Sequence, residues 1–362
     1  MATLLKRYVA VELKGIVVVG GPDAADGARA GAASALQLVA NRPILCHALQ
    51  ELGNAGVGAV ALVVPPEVSG ETAAAVADEL PATMQVHQIV CKKGTGIDGG
   101  LRSAVRFVGD APCVVSVGDG LLGQPLAPMI ELLEDGPSLV TFVHEGDADG
   151  DFVRLATHRL LRLAAPVLPN ADLGLAGLCL FGPGALARVG DTHWCPGGDI
   201  DVARAAQRLV DGGGRLEVRL VRGWRRYAGA ARDLLELNRY ALDALAPEPG
   251  PLPSRDSRID GRVMIDPTAT VESSVIVGPA VIGARARVVE SYIGPYTSVG
   301  EDVRIAGAEL EHSIILAGAS IMHVGGRLVS SVVGRDARIF RDFSLPRAIR
   351  LKVGDGVEVA LC

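Results

Sequence analysis

The stretch Lys-Gly-Ile-Val-Val-Val-Gly-Gly at residues 14–21 decides the fold of the first half of the chain. Its four consecutive β-branched residues predict a buried strand, and the glycine pair that follows predicts a tight turn. Phosphate-binding loops often begin at such a turn. Residues 22–41, however, contain one arginine, no lysine and two aspartates, so most of the basic side chains that grip phosphate are missing.

Short apolar runs alternate with helix-like segments up to about residue 240. This alternation is typical of a mixed, mostly parallel sheet with helices on both faces, so we expect a Rossmann-like α/β domain over residues 1–245. The candidate strands are residues 16–19, 59–64, 113–117, 138–143 and 175–181. The candidate helices are residues 43–53, 71–80 and 200–210.

A different period follows a proline-rich segment, residues 246–258, which we interpret as a linker. Beyond it, aliphatic residues return every six positions. They are Ile259, Ile265 and Val271, then Ile276, Ile282 and Val288, then Ile293, Val299 and Ile305. A hexapeptide repeat of this kind predicts a left-handed β-helix, which we place over residues 259–362.

Composition narrows the class of protein. A chain of 362 residues, 49% hydrophobic and 21% charged, is expected to form two folded domains. The net charge of −6 argues against a nucleic-acid partner. No apolar run approaches the length of about 20 residues that a membrane span needs, and the first residues do not resemble a secretion signal. We therefore expect a cytoplasmic protein with no membrane contact.

The six cysteines lack paired C-x-x-C spacing and are expected to be reduced, mostly buried thiols. Cys91 stands beside Lys92 and Lys93, which could lower the pKa of its thiol. Because exposed lysines are common, we favour an unreactive thiol.

Motifs in both halves of the chain resemble those of a known protein family. They are KGIVVVGG at 14–21, VANRPILCHAL at 39–49, FVGDAP at 107–112, VGDGLL at 117–122, LAGLCLF at 175–181, RDLLELNRYALD at 232–243, SYIGPYTSVGEDVRI at 291–305 and PRAIRLKVGD at 346–355. Along nearly its whole length the chain resembles the long, two-domain form of the glucose-1-phosphate thymidylyltransferases, which are sugar nucleotidyltransferases. Fold resemblance alone does not establish activity.

The resemblance implies a reaction in which a sugar 1-phosphate oxygen attacks the α-phosphorus of a nucleoside triphosphate and expels pyrophosphate. Catalysis then depends on positioning and on neutralising two phosphate-bearing partners. The family supplies this with a G-G-x-G-T-R loop, a lysine further on, a glutamate-lysine-proline segment and two aspartates for a divalent ion.

The nucleotide side of the implied site is only partly kept. Gly20 and Gly21 match the loop glycines, but acidic and alanine residues replace the Gly-Thr-Arg that should follow, and Arg29 is the single cation of the loop. The nucleobase-reading glutamine aligns with Cys91, and Gly96 keeps the family glycine after it. The resemblance therefore implies a vestigial nucleotide site.

The sugar-phosphate side is altered as well. The glutamate-lysine-proline segment becomes Ala164-Ala165-Pro166, which removes its charges, while Gly177 is retained in the pocket. The family lysine falls on Ser34 or Leu36, depending on the alignment, and neither residue supplies a positive charge.

One metal position survives. Asp119 follows the apolar run 113–117 and matches the first metal aspartate, at a strand end where ligands normally bind. The second aspartate falls at Tyr227, and a neutral phenol is a poor ligand for Mg²⁺. The resemblance therefore implies at most a weak metal site at Asp119.

Two other groups of residues deserve a comparison with known sites. His193, Cys195 and Asp199 could bind a soft divalent metal, but their spacing fits no standard zinc pattern, so we interpret them as loop residues. His312 and His323 are similar to the histidine bases of hexapeptide-repeat acyltransferases, which share only the coil. We therefore favour a structural role for both.

These losses together favour a degenerate sugar nucleotidyltransferase homologue that acts as a structural or regulatory protein, with no confident cofactor. The alternative is an active enzyme with a rebuilt pocket, in which Asp119 is the acid and Mg²⁺ the cofactor. Its replacement cations would be Arg29, Lys92, Lys93, Arg225 and Arg226. Expected partners are a second copy of the chain, an active homologue, and a nucleotide or nucleotide sugar.

Overall fold

The structure is a computed structural model that describes residues 12–20, 33–77, 79, 84–91, 96–133, 135–145, 163, 173–189, 202–246 and 256–343. The first strands are β1 Lys14–Val18, β2 Leu38–Val39, β3 Arg42–Pro43, β4 Ala59–Val64, β5 Gln85–Val90, β6 Cys113–Val117, β7 Gly120–Leu122, β8 Ser138–Glu145, β9 Leu173–Phe181, β10 Arg215–Leu220 and β11 Trp224–Arg226. Most of the linker expected at 246–258 lies outside the described residues, so the domain boundaries stay predictions.

Seven of these strands form one sheet in the order β10-β8-β9-β6-β1-β4-β5. All neighbours are parallel except β9, which is antiparallel to β6 and to β8. The expected mixed, mostly parallel sheet is confirmed. Strands β4 and β6 have the predicted bounds, whereas β5 and β10, the two edge strands, were not predicted.

Helices cover both faces of this sheet because side chains along each strand alternate between them. Leu45, Leu49 and Leu52 pack on the face that carries Val17, and Leu101 packs on the face that carries Ile16. The helices are α1 Ile44–Asn54, α2 Ser69–Ala77, α3 Gly96–Val108, α4 Ala127–Ile130, α5 Ala185–Val189, α6 Val202–Asp211 and α7 Ala231–Asp243, with short 3₁₀ turns at Ser34–Leu36 and Pro66–Val68. None of the helices in the described ranges is long and apolar enough to span a membrane.

Fifteen short strands build the second domain, a left-handed β-helix with three parallel sheets of five strands. They are β12 Arg258–Asp260, β13 Val263–Ile265, β14 Thr270–Glu272, β15 Val275–Val277, β16 Ala280–Ile282, β17 Arg287–Val289, β18 Tyr292–Ile293, β19 Thr297–Val299, β20 Arg304–Ala306, β21 Glu309–Glu311, β22 Ile314–Ile315, β23 Ser320–Met322, β24 Arg327–Val329, β25 Val332–Val333 and β26 Arg338–Phe340.

The aliphatic residues found at six-residue steps lie in turn in the three sheets and fill the centre of the coil. Ile276 pairs with Ile293, Ile282 with Val299, and Val288 with Ile305 in successive coils. All six side chains are buried. Each coil thus contributes one side chain per sheet to a continuous apolar column.

A row of serines links successive coils at one corner of the β-helix. Ser274 Oγ donates to the Glu272 carbonyl at 2.7 Å and accepts the Ser291 backbone N–H at 3.0 Å. Ser291 Oγ accepts the Ala308 N–H at 3.3 Å in the same way. The serines therefore satisfy backbone groups at a corner that the strand ladders do not reach.

Helix α7 joins the two domains through the buried amide of Asn238. Its Oδ1 accepts the Ala40 backbone N–H at 2.8 Å and the Ser298 hydroxyl at 2.6 Å, and its Nδ2 donates to the Tyr296 carbonyl at 3.0 Å. Asn41 Nδ2 also donates to the Val299 carbonyl at 2.7 Å. We call Asn238, its three partner residues and the Asn41–Val299 pair the domain junction.

Candidate functional site

The candidate site lies at the carboxyl ends of β1 and β6, which are neighbours in the sheet. Val18 pairs with Val117, and the Gly118 N–H donates to the Val18 carbonyl at 2.8 Å. Gly20, which has a left-handed φ of 118°, and Asp119 therefore follow the two strands at the same edge. This is the edge at which open α/β sheets bind ligands.

Asp119 is buried and forms an ion pair with Arg226. Its residue surface is 2% exposed, and its Oδ1 accepts the Arg226 Nε–H at 2.8 Å. The Arg226 side chain is 16% exposed. A charge-assisted hydrogen bond of this length neutralises the carboxylate inside the protein.

A short antiparallel ribbon brings these two residues together. Strand β7 pairs with β11 so that Arg226 lies opposite Gly120, and the Tyr227 N–H donates to the Asp119 carbonyl at 3.0 Å. The side chain that bonds Asp119 thus comes from Arg226, one residue before the position that the resemblance assigns to the second metal ligand. Sequence reasoning missed this pairing.

Trp224 fixes the ribbon against the sheet through two glycines. A Cβ atom on Gly120 would lie 2.5 Å from Trp224 Cη2, and one on Gly177 would lie 2.9 Å from Trp224 Cζ2. Gly177 would also approach Val117 Cγ2 to 2.5 Å. Both glycines therefore have a packing role, and the place of Gly177 in a sugar-phosphate pocket stays a prediction.

A second buried carboxylate, Asp233, influences the pKa of Tyr227 and pairs with Arg225. Burial, and then the nearby Asp233, raise the pKa of the Tyr227 phenol above its ordinary value. Asp233 is 3% exposed, accepts the Ala228 N–H at 3.1 Å and lies 3.6 Å from Arg225 Nη1. Asp233 belongs to α7. Arg225 therefore pairs with a carboxylate of that helix, whereas Arg226 pairs with Asp119.

Cys91 follows the edge strand β5 and is buried. Burial raises the pKa of its thiol to about 11, which agrees with the unreactive thiol favoured from the sequence. A Cβ atom on Gly100 of α3 would lie 3.0 Å from Cys91 Sγ, which places the thiol against that helix. Gly96 begins the same helix. The thiol is thus packed and largely protonated at neutral pH.

The other described cysteines agree with the sequence prediction of reduced, buried thiols. Cys46, Cys113 and Cys179 are also free and buried.

The two histidines of the β-helix contact aromatic rings. His312 lies edge-on to Tyr296, and His323 lies beside Phe343.

Several expected site residues fall outside the described ranges, so their positions stay predictions. They are Gly21, Arg29, Lys92, Lys93, Ala164, Ala165, Pro166, His193, Cys195 and Asp199.

The described residues around Asp119 do not fit a Mg²⁺ ion. Magnesium prefers several hard oxygen ligands, usually one or two carboxylates with water and phosphate. Here the carboxylate bonds a guanidinium instead. Within the part of the chain that the structure describes, no group of three or more His, Cys, Asp or Glu side chains is placed to hold a metal.

Comparisons with known proteins were made for the sequence and for the fold. No family model matches the chain. A glucose-1-phosphate thymidylyltransferase from Streptomyces antibioticus is 31% identical over 337 residues, which cover 91% of this chain and 94% of that protein. One from Streptomyces griseus is 32% identical over 329 residues, covering 89% of this chain and 92% of that protein.

Two further matches are more distant. A low-salt glycan biosynthesis nucleotidyltransferase from Haloferax volcanii is 27% identical over 334 residues, covering 89% of this chain and 92% of that protein. The solved structure of a candidate glucose-1-phosphate thymidylyltransferase from Bacillus anthracis matches with a TM-score of 0.50 and 18% identity. It covers 65% of this chain and 98% of that one, and supports the fold alone.

The fold and these relatives define a class, the nucleotidyltransferases that act on sugar phosphates. Because the identity exceeds 30% over nearly the full length of both chains, the protein belongs to the glucose-1-phosphate thymidylyltransferase family.

Proposed function

We propose that this chain does not carry out standard thymidylyl transfer, and that it acts as a structural or regulatory member of its family. The observation that carries the proposal is the ion pair between Asp119 and Arg226. The ion pair engages Asp119, the one remaining carboxylate that the resemblance assigns to the metal.

The electrostatics of this pair oppose a divalent cation. Two unit charges 4 Å apart interact by about 4 kcal/mol at an effective dielectric constant of about 20, and a divalent ion would double its repulsion from the guanidinium. The attraction of the Asp119 carboxylate for the ion is therefore opposed by the repulsion from Arg226. Family chemistry relies on such an ion to neutralise developing phosphate charge.

Neighbouring side chains do not replace the missing carboxylate. Tyr227 has a raised pKa and is neutral at pH 7, and Asp233 is engaged by Arg225 and by the Ala228 N–H. The sequence also lacks the loop arginine, the lysine and the Glu-Lys-Pro charges of the family. Each such group typically contributes about 2–4 kcal/mol to transition-state stabilisation, although these losses do not add.

The contacts that maintain the shape are retained. The apolar sheet, the glycine packing around Trp224 and the domain junction are all present. This retention supports a role that depends on assembly. We propose as partners a second copy of this chain or an active homologue, which size-exclusion chromatography with light scattering and co-purification would identify.

A turnover assay tests the proposal. The full chain is incubated with dTTP, glucose 1-phosphate and Mg²⁺, and pyrophosphate release is measured, with the Streptomyces griseus relative as the positive control. We expect release at the rate of the enzyme-free blank. Release that exceeds the blank and falls with Asp119→Asn would overturn the proposal in favour of an active enzyme with a rebuilt pocket.

A further inference from the structure

The geometry of the ribbon places a cation where the family's metal would meet its carboxylate. Arg226 comes from β11, opposite Gly120, and its Nε lies 2.8 Å from Asp119 Oδ1. Asp119 follows β6 at the carboxyl edge of the sheet, next to Gly118, and Arg226 is the last residue of β11 in the two-stranded ribbon. The positive charge next to Asp119 is therefore supplied by an arginine of the chain itself.

We infer that Arg226 takes the place of the divalent cation, so that the site excludes metal ions and binds a phosphate-bearing ligand without one. The inference rests on the proposed function and deepens it, because it states which ligand chemistry the altered site accepts. An arginine suits this role, since its guanidinium stays charged at all physiological pH values and its planar donors match phosphate oxygens.

The surroundings hold this guanidinium in place. Trp224, two residues earlier, packs over Gly120 and Gly177 and thereby fixes β11 against the sheet. Arg225 has its own counter-charge in Asp233, so the two neighbouring arginines belong to different carboxylates. A charge that is positioned before the ligand arrives requires little reorganisation on binding.

Access to Arg226 is limited but present. Its side chain is 16% exposed, whereas that of Asp119 is 3% exposed. A ligand that reaches the pair therefore meets the Arg226 side chain before the carboxylate. This order of exposure favours an anion over a cation.

The first arm of the experiment measures cation binding to the full chain without any nucleotide, by Mn²⁺ titration followed by electron paramagnetic resonance. Wild-type protein is expected to show no Mn²⁺ site that depends on Asp119. Arg226→Asp places two carboxylates on the paired strands and is expected to gain a Mn²⁺ site, with affinity at least about tenfold above wild type. The matched control, Asp119→Asn with Arg226→Asp, should lose that site.

The two facing carboxylates of Arg226→Asp repel each other without a cation, so its thermal unfolding is followed with and without Mn²⁺, and Arg226→Gln provides a second variant. Mn²⁺ is expected to raise the Tm of Arg226→Asp and to leave the wild-type Tm unchanged. Arg226→Gln, which removes the charge and keeps polar atoms, should bind Mn²⁺ more tightly than wild type. A wild-type Mn²⁺ site that Asp119→Asn abolishes would overturn the inference, as would Mn²⁺ affinities in both variants equal to wild type.

The second arm measures anion binding by calorimetric titration with inorganic pyrophosphate in the presence of a chelator. Wild-type protein is expected to bind, and Arg226→Gln to bind at least about tenfold more weakly. No binding by wild type, or equal binding by the variant, would overturn the inference. Neither arm measures turnover. The proposed function can therefore fail in the pyrophosphate-release assay while this inference stands, and this inference can fail while the proposed function stands.

Discussion

The candidate site and the domain junction both bury polar side chains, and they satisfy them in different ways. At the site, two charged residues pair within one domain, Asp119 between β6 and β7 and Arg226 at the end of β11. At the junction, one neutral amide, Asn238, makes three hydrogen bonds that tie Ala40, Ser298 and Tyr296 to α7.

This difference separates two uses of buried polarity. A buried ion pair gains little net stability, because desolvation of both charges offsets their attraction, but removing one partner is costly. A fully bonded neutral amide avoids that desolvation and specifies how segments meet. The junction thus fixes domain geometry, while the ion pair sets the charge of the site.

The largest effect is expected when the ion pair is broken. Arg226→Ala removes the guanidinium that faces a carboxylate with 2% exposure, and should lower the free energy of unfolding by about 3–5 kcal/mol. Urea unfolding measures it. Arg232→Ala is the matched control, because the Arg232 side chain is 81% exposed, and should change stability by less than about 0.5 kcal/mol. Equal stability of the two variants would contradict the cost expected for breaking the buried ion pair.

A smaller loss, about 2–4 kcal/mol, is expected for Asn238→Ala at the junction. The substitution leaves the Ala40 N–H and the Tyr296 carbonyl without this partner, and it uncouples the domains, so calorimetry should resolve two thermal transitions. Gln207→Ala, at an exposed amide that bonds Asp211 in α6, is the control. A single transition with unchanged Tm would show that the junction does not join the domains.

The junction should respond to pH through His47, whose ring lies beside it and bonds the Val39 carbonyl at 2.9 Å. Burial lowers the pKa of His47 to about 4. The unfolded chain therefore binds a proton near pH 6.5 that the folded chain refuses until about pH 4, so stability falls as pH drops through this window, by about 1–3 kcal/mol.

Urea unfolding at several pH values tests this by comparing wild type with His47→Gln, which keeps an N–H donor and does not titrate. The variant should lose less stability between pH 6.5 and pH 4. Parallel pH profiles for the two proteins would contradict the role assigned to His47.

The smallest effect is expected at the serine row, where neutral hydrogen bonds act inside one domain. Ser291→Ala removes the acceptor for the buried Ala308 N–H and should cost about 1 kcal/mol. Ser331→Ala, at an exposed hydroxyl of the last coil, is the control and should cost less. Chemical denaturation measures both losses of stability. A loss at Ser291 no larger than at Ser331 would contradict the stabilising role expected for the serine row.

Central strands could be predicted from the sequence and edge strands could not. Strand β4 is apolar throughout and β6 contains a single polar residue, Ser116, because sheet neighbours and helices cover both strands on all sides. Strands β5 and β10 have one open edge and carry polar residues, as in Arg-Leu-Glu-Val-Arg-Leu at Arg215–Leu220. The alternation in that segment was the signal that could have revealed β10.

The position of the candidate site could be predicted from the sequence, but the ion pair of Asp119 with Arg226 could not. Asp119 follows an apolar run, so its position at the sheet edge could be inferred. Its partner is 107 residues away in sequence, and sequence pattern alone does not say which residue of 223–229 turns towards it. Side chains on a strand alternate, so a shift of one residue exchanges Arg226 for Tyr227.

The packing of Trp224 over Gly120 and Gly177 gives the protein an optical probe of its own site. The chain has two tryptophans, Trp194 and Trp224, so Trp194→Phe would leave a single emitter. Because Trp224 is 7% exposed and two residues from Arg226, its emission should be blue-shifted and sensitive to whatever occupies the neighbouring space. Ligand searches can therefore proceed by fluorescence, without a label and without knowledge of any reaction.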